Sequence, residues 1–113
     1  MAPMVPEQWR TRVCFILDSG DYKRIKIRQR ALVDWSALFP ALFTCDLLSA
    51  LSDALKDPEL MGNQVLLMQE PGETYEFIFT YSGRRVYSKI NLSPDGSVVI
   101  IYSAHRPLKG ETL

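Results

Sequence analysis

Histidine and cysteine are scarce in this 113-residue sequence, which contains one His and two Cys. The two cysteines, Cys14 and Cys45, lack the C-x-x-C spacing and the companion histidines of a zinc site. Both fall in predicted helices among apolar neighbours, so we expect them to be small buried residues. No pair of acids has the spacing of a two-metal nuclease site. The sequence therefore predicts neither a metal site nor a cofactor.

Glycine-rich loops and serine elbows are also missing. The glycines Gly62, Gly72, Gly83 and Gly96 sit singly in predicted turns, so no loop is available to cradle nucleotide phosphates. A Ser/His/Asp triad has only His105 as its histidine, and no serine lies in a nucleophile elbow. Kinase, nucleotide-hydrolase and serine-hydrolase chemistry are set aside on these grounds.

Long hydrophobic runs are absent as well. The longest nearly apolar stretch, residues 35–51, is interrupted by Pro40 and Asp46, and a bilayer span needs about 20 apolar residues. The N-terminus shows no basic region followed by an apolar run. With 47% apolar and 23% charged residues, the composition predicts a single globular domain over residues 1–113, cytoplasmic and without membrane contact.

The formal net charge of zero hides an uneven distribution. Residues 34–76 contain eight acids against Lys56 alone, and from Arg84 onward five basic residues stand against Asp95 and Glu111. This asymmetry predicts one face suited to phosphate and another suited to a basic partner or to solvent. The alternative is that the charges pair across the fold. Five cations cluster within eight residues, namely Lys23, Arg24, Lys26, Arg28 and Arg30.

Helical periodicity marks two N-terminal segments. Residues 6–19 carry apolar side chains at i, i+4, i+7 and i+8, with Gly20 as a C-terminal cap. Residues 40–56 carry a similar stripe and end before Pro58. Between them, the alternation of residues 22–30 predicts a short edge strand or an extended arm with a basic outer face, and residues 31–39 predict a brief helical turn.

The period changes to that of strands after residue 63. Pro94, Asp95 and Gly96 form the clearest hairpin turn. Consecutive strands joined by short turns predict an antiparallel meander with one face covered by helix. The expected fold class is therefore α+β, with two N-terminal helices packed on a four-stranded antiparallel sheet, whose strands are residues 64–69, 75–81, 86–92 and 98–103.

Proton-transferring and cationic side chains concentrate in the last thirty residues. If the closing hairpin pairs around its turn, Tyr87 and His105 come close enough to share a pocket. Metal-free RNA cleavage uses the substrate's 2′-hydroxyl as nucleophile and needs a base, an acid and cations for the phosphorane. The alternative is that these residues form a solvated strand face and a polar C-terminus. The set comprises Arg84, Arg85, Tyr87, Lys89, His105, Arg106 and Lys109.

The closing hairpin also resembles a known family. The stretch Val-Tyr-Ser-Lys-Ile-Asn-Leu at 86–92, followed by a turn and Val-Val-Ile-Ile-Tyr-Ser-Ala-His at 98–105, is similar to the C-terminal hairpin of the MqsR toxins among the RelE-like mRNA interferases. The wider layout is similar over about residues 10–106. The resemblance implies a RelE-like, microbial ribonuclease-like fold. It also implies a metal-independent endoribonuclease toxin that cleaves mRNA and is restrained by a cognate antitoxin.

Site residues follow from the resemblance by position. It implies catalytic roles for Tyr87 and Lys89, with His105 and Arg106 near the end of the last strand. Residues 64–69 lack the lysine of the family's first strand. Either the chemistry has moved to Arg84, Arg85 and His105, or this chain is a divergent member with altered or lost activity. RNA binding is assigned to Lys23, Arg24, Lys26, Arg28, Arg30, Arg84 and Arg85.

A second hypothesis is a non-catalytic module. An immunity or inhibitor protein would bind a basic partner through the acidic middle of the chain. A third is homodimerisation through an exposed edge strand of the sheet. The acidic surface of the second hypothesis would comprise Asp46, Asp53, Asp57, Glu59, Glu70, Glu73 and Glu76.

Overall fold

The computed structural model describes residues 3–108 and contains three helices and five strands in that range. The fold class is α+β, but the expected two helices and four antiparallel strands are wrong. The elements in chain order are α1 (Glu7–Ser19), β1 (Ile25–Ile27), α2 (Gln29–Leu38), α3 (Thr44–Leu55), β2 (Gly62–Val65), β3 (Glu73–Tyr81), β4 (Arg84–Leu92) and β5 (Val99–His105).

The basic N-terminal strand β1 is part of the main sheet, whose strand order is β1-β5-β4-β3-β2. β1 pairs parallel with β5, with Ile25 opposite Val99 and Ile27 opposite Ile101. Backbone hydrogen bonds from Val99 to Arg24 (2.8 Å) and from Arg28 to Ile101 (3.0 Å) extend this pairing. The sheet is therefore mixed, because a strand formed early in the chain completes the edge beside the last strand.

The helix predicted for residues 31–39 was too short, and the helix predicted for residues 40–56 was too long. The segment expected to form a brief turn is the ten-residue helix α2. Its buried residues Ala31 and Trp35 are spaced i, i+4 and turn one stripe of the helix towards the core. The following helix α3 begins only at Thr44, where the Asp46 carboxylate accepts a hydrogen bond from the Phe43 N–H at 2.7 Å.

Aromatic side chains from the sheet form the centre of the core. Tyr75, Phe77, Phe79 and Tyr81 alternate along β3 and point to the helix-covered face. Trp9 of α1 packs edge-on against Tyr75 at 4.9 Å between ring centroids. On the other side of the core, Trp35, Phe39 and Tyr81 pack together with centroids 4.6 to 5.7 Å apart.

Ser88 is a polar residue on the helix-covered face, where it breaks the apolar alternation of β4. Its side chain is fully buried, and its hydroxyl donates to the Ser103 carbonyl of β5 at 2.8 Å. The polar group is thereby satisfied inside the core.

The two cysteines differ in environment. Cys14 is buried in α1 and its thiol lies 3.4 Å from the Ser52 carbonyl, whereas Cys45 is exposed at the start of α3. Burial raises the pKa of the Cys14 thiol. The expectation of two buried cysteines is thus wrong for Cys45, because Cys45 lies outside the core-facing stripe of α3. Within residues 3–108 no helix combines the length and apolar character needed to cross a membrane.

Gly72 precedes β3 at a close approach of backbone to backbone. Its φ is +115°, and a Cβ placed there would lie 2.1 Å from the Leu92 carbonyl oxygen. We expect Gly72→Ala to lower the free energy of unfolding by about 2–4 kcal/mol, since it adds a steric clash to backbone strain. Denaturant unfolding measures the change.

Gly83→Ala is the matched control, because Gly83 also has a positive φ of +77° but open space around its Cβ position. Its cost should be only about 1–2 kcal/mol, the penalty of the left-handed conformation. Equal losses for the two variants would contradict the close approach at Gly72.

The β4–β5 turn is organised around Asp95. Hydrogen bonds from the Ser97 and Ser93 hydroxyls and the Ser97 N–H lower the pKa of Asp95 from 3.8 to about 2. A carboxylate with a depressed pKa stabilises the fold above its unfolded pKa and loses that contribution as the pH falls towards the folded value.

The stability advantage of the parent chain over Asp95→Asn should therefore be constant at neutral pH. It should shrink as the pH falls from 3.8 to about 2. Urea midpoints of both chains across this range test it, and a pH-independent difference would contradict the assignment.

Candidate functional site

Tyr87 lies on the face of the sheet opposite the helices, which we call the outer face. Its hydroxyl donates a hydrogen bond of 2.6 Å to Oε1 of Glu76 on the neighbouring strand β3. Only 6% of Tyr87 is exposed. The alternative in which Tyr87 belongs to a solvated strand face is therefore wrong, because the phenol is held between neighbours and bonded to a carboxylate.

His105 stands directly opposite Tyr87 at the end of β5. The two rings stack with centroids 4.9 Å apart and an interplanar angle of 23°. Nδ1 of His105 lies 2.8 Å from the carbonyl oxygen of Arg106. Since a carbonyl can only accept, Nδ1 is the donor in this contact, and Nε2 is the ring nitrogen left for a substrate.

Three arginines line two clefts at the end of the sheet where His105 lies. Two adjoining clefts of about 330 Å³ each open at the end of the sheet and share Leu38, Arg84 and Arg106. One is completed by Arg85, and the other by His105 and Asp34. We call them together the arginine cleft. Guanidinium forks in this arrangement can hold phosphate oxygens within reach of the imidazole.

Lys89 lies two residues from Tyr87 on the same face, with Glu76 opposite it on β3. A bulge between Lys89 and Ile90 leaves Tyr102 as the extra residue of β5. The Lys89 ammonium lies 5.8 Å, and the Arg28 guanidinium carbon 5.4 Å, from the centroid of the Tyr102 ring. Burial raises the pKa of the Tyr102 phenol, and the Arg28 guanidinium opposes that rise.

The basic segment that includes β1 is divided among three elements. Lys23 and Arg24 lie in the turn before β1, and Arg24 pairs with Asp21 at 3.8 Å. Arg30 is in α2 and pairs with Asp34 at 3.8 Å. Lys26 stands opposite Ile100 on β5 and is exposed, while Arg28 reaches Tyr102. Lys26 and Arg28 are thus the members of this segment that the register and the ring contact place at the outer face.

Glu76 was predicted only as part of an acidic surface, and its place beside Tyr87 was missed, although a signal for it exists. It alternates with the core aromatics of β3 and therefore shares a face with Tyr87 and Lys89. Tyr102 carried no such signal, because the bulge that places it depends on the pairing of β4 and β5.

The acidic residues do not form one surface. Asp46 and Asp53 lie on α3, which covers the core face of the sheet, whereas Glu76 lies on the outer face. Several carboxylates serve local contacts: Asp57 accepts from the Glu59 N–H at 2.9 Å, and Glu70 pairs with Arg28 at 3.1 Å. The geometry thus divides the set that an inhibitor would present to a basic partner.

Within the described residues, no group of three or more His, Cys, Asp or Glu side chains is placed to hold a metal ion. Lys109 lies outside the described residues. Comparison with protein-family models, curated proteins and solved structures found no match. The similarity to the MqsR toxins therefore remains an interpretation of the hairpin sequence.

The Tyr87–Glu76 hydrogen bond should contribute measurably to stability. Tyr87→Phe keeps the ring stacked on His105 but leaves the carboxylate without this donor. We expect the free energy of unfolding to fall by about 1–2 kcal/mol, since the lost bond involves a charged acceptor. Urea unfolding measures the loss.

Tyr22→Phe removes the same atom from a tyrosine that is 55% exposed. This control should change stability by less than about 0.5 kcal/mol. Equal effects of the two substitutions would show that the Glu76 contact contributes nothing.

Proposed function

We propose that this chain is a metal-independent endoribonuclease. The observation that carries the proposal is the contact of Tyr87 with both Glu76 and His105, beside the arginine cleft. This arrangement combines a protonated phenol, an imidazole with a defined tautomer, and cations. Those are the groups that transesterification of RNA by its own 2′-hydroxyl requires.

The proton transfers follow from the tautomer and the hydrogen bond. Nε2 of His105 accepts the proton of the substrate's 2′-hydroxyl as that oxygen attacks the adjacent phosphorus. Tyr87, whose hydroxyl carries a proton in its bond with Glu76, gives a proton to the departing 5′-oxygen. The products are a 2′,3′-cyclic phosphate and a 5′-hydroxyl end. His105 and Tyr87 then return to their starting states by proton exchange with water.

The cations around the arginine cleft would stabilise the negative charge of the transition state. Arg84 and Arg106 line the cleft that contains His105, and Arg85 lines the adjoining cleft. Arginine forks directed at non-bridging oxygens offset the charge that builds on the phosphorane. Lys89 lies further along the outer face, where it favours the flanking phosphates of the same strand.

In the cell, we propose that the chain acts in the cytoplasm as the toxin of a toxin–antitoxin pair. The support for this is the hairpin sequence and the exposure of Arg84, Arg85 and Arg106. A cognate antitoxin with acidic side chains would neutralise the arginine cleft and exclude mRNA from it. An inhibitor reading is less favoured, because the acids are divided between the two faces of the sheet.

His105→Ala should abolish most of the activity. Loss of an acid–base group typically lowers the rate by about 100-fold or more. The measurement is the cleavage rate of a labelled single-stranded oligoribonucleotide by purified protein, supported by growth after induction. A parent chain that leaves RNA intact and growth unaffected would refute the nuclease.

The cations are tested separately by Arg106→Gln, with Lys56→Gln as the matched control. Lys56 pairs with Asp18 at 3.4 Å, beyond the C-terminal end of α3. We expect Arg106→Gln to slow cleavage by about 10-fold or more, since a charge-assisted contact to the transition state is lost. Lys56→Gln should cleave at the parent rate, and comparable losses would mean that net charge alone matters.

A further inference from the structure

The loop between β2 and β3 crosses the outer face of the sheet. We call residues 66–72 the strap. Glu70 of the strap forms a 3.1 Å ion pair with Arg28, which follows β1. Since the strand order in the sheet is β1-β5-β4-β3-β2, three inter-strand spacings of about 4.8 Å separate β3 from β1. The strap and the Arg28 side chain together bridge roughly 14 Å, across β4 and β5.

Besides the Glu70–Arg28 ion pair, the strap has one half-buried apolar side chain, Met68, and its other apolar side chains are exposed. Leu66 is 70% exposed and Leu67 is fully exposed, and Leu67 has a left-handed φ of 61°. A bulky residue rarely adopts that conformation without strain. The ion pair itself is half exposed, with side chains 50% and 41% accessible. Such a contact is weak and readily exchanged for another anion.

The ring of Tyr102 lies beside the Arg28 guanidinium of this ion pair. The hydroxyl of Tyr102 is buried and makes no hydrogen bond within the part of the chain that the structure describes. Arg28 and Lys89 approach the Tyr102 ring from the elements on either side of β5. The Arg28 and Lys89 cations thus both lie at the Tyr102 ring, and the Glu70 carboxylate binds one of them, Arg28.

We propose that Glu70 occupies the place of an RNA phosphate, and that Arg28, Lys89 and Tyr102 form a nucleotide subsite when the strap lifts. The proposal rests on the RNA substrate of the proposed function. A phosphate offers the same paired oxygens to the Arg28 fork that the carboxylate offers. It also supplies an acceptor for the Tyr102 hydroxyl. Glu70 thus competes with single-stranded RNA for one cation.

A double-mutant cycle tests the competition. The probe is a fluorescein-labelled 2′-O-methyl oligoribonucleotide, which keeps the phosphates but has no 2′-hydroxyl to attack. Fluorescence anisotropy at fixed salt measures its affinity for Glu70→Gln, Arg28→Gln and the combined variant. Glu59→Gln, on the α3–β2 connection, is the control with the same change of charge.

Glu70→Gln should bind the probe about two- to five-fold more tightly, which corresponds to the strength of a half-exposed ion pair. Glu59→Gln should match the parent, and Glu70→Gln should bring no gain in the Arg28→Gln background. In the Glu70→Gln background, Tyr102→Phe should weaken binding about three-fold or more, because the hydroxyl donor is lost.

The inference is overturned if Glu70→Gln binds no better than Glu59→Gln, or if its gain persists without Arg28. Unchanged affinity after Tyr102→Phe overturns the place of Tyr102 in the subsite. Because the probe cannot be cleaved, these outcomes do not depend on catalysis. Loss of the proposed nuclease with an intact cycle, or the reverse, distinguishes the two claims. Thermal unfolding of each variant confirms that it is folded.

Discussion

The parallel pairing of β1 with β5 is the constraint on which the functional face depends. It joins a strand at residues 25–27 to one at residues 99–105. Without this pairing, the basic segment would be a detached arm, and Arg28 would not be held next to Tyr102. With it, cations from both ends of the chain share one sheet. The helices α2 and α3 and the β2–β3–β4 meander lie between these two strands in the chain.

Alternation along the strands places the core side chains on one face of the sheet and the proposed functional side chains on the other. The aromatics of β3 and Val86, Ser88 and Ile90 of β4 point to the helices, and Ser88 is accommodated by a carbonyl of β5. The residues between them point outward, which brings Glu76 and Tyr87 into hydrogen-bonding contact. The same backbone register that builds the core therefore assembles the outer face. A slip of one residue would bury the polar set and expose the aromatics.

Local patterns in the sequence predicted α1, the edge strand β1 and the closing hairpin, because each depends on neighbouring residues. The juxtaposition of Tyr87 and His105 followed from that hairpin.

The partner of β1 was not predictable, since a parallel pairing across more than 70 residues leaves no local trace. α2 was underestimated because the alternating arginines that precede Ala31 favoured a longer strand. The position of Tyr102 depends on a bulge, and that of Glu70 depends on a loop that crosses the sheet. Both are tertiary features.

The central claim is that the substrate's own 2′-hydroxyl is the nucleophile at the Tyr87–His105 pair. The most direct measurement is mass spectrometry of the ends produced from an oligoribonucleotide by the purified chain in the presence of EDTA. A companion oligonucleotide carries one 2′-deoxy substitution at the cleaved position. We expect 2′,3′-cyclic phosphate and 5′-hydroxyl ends, and no cleavage at the deoxy position. Intact RNA, cleavage at the deoxy position, or products with 3′-hydroxyl and 5′-phosphate ends would contradict it.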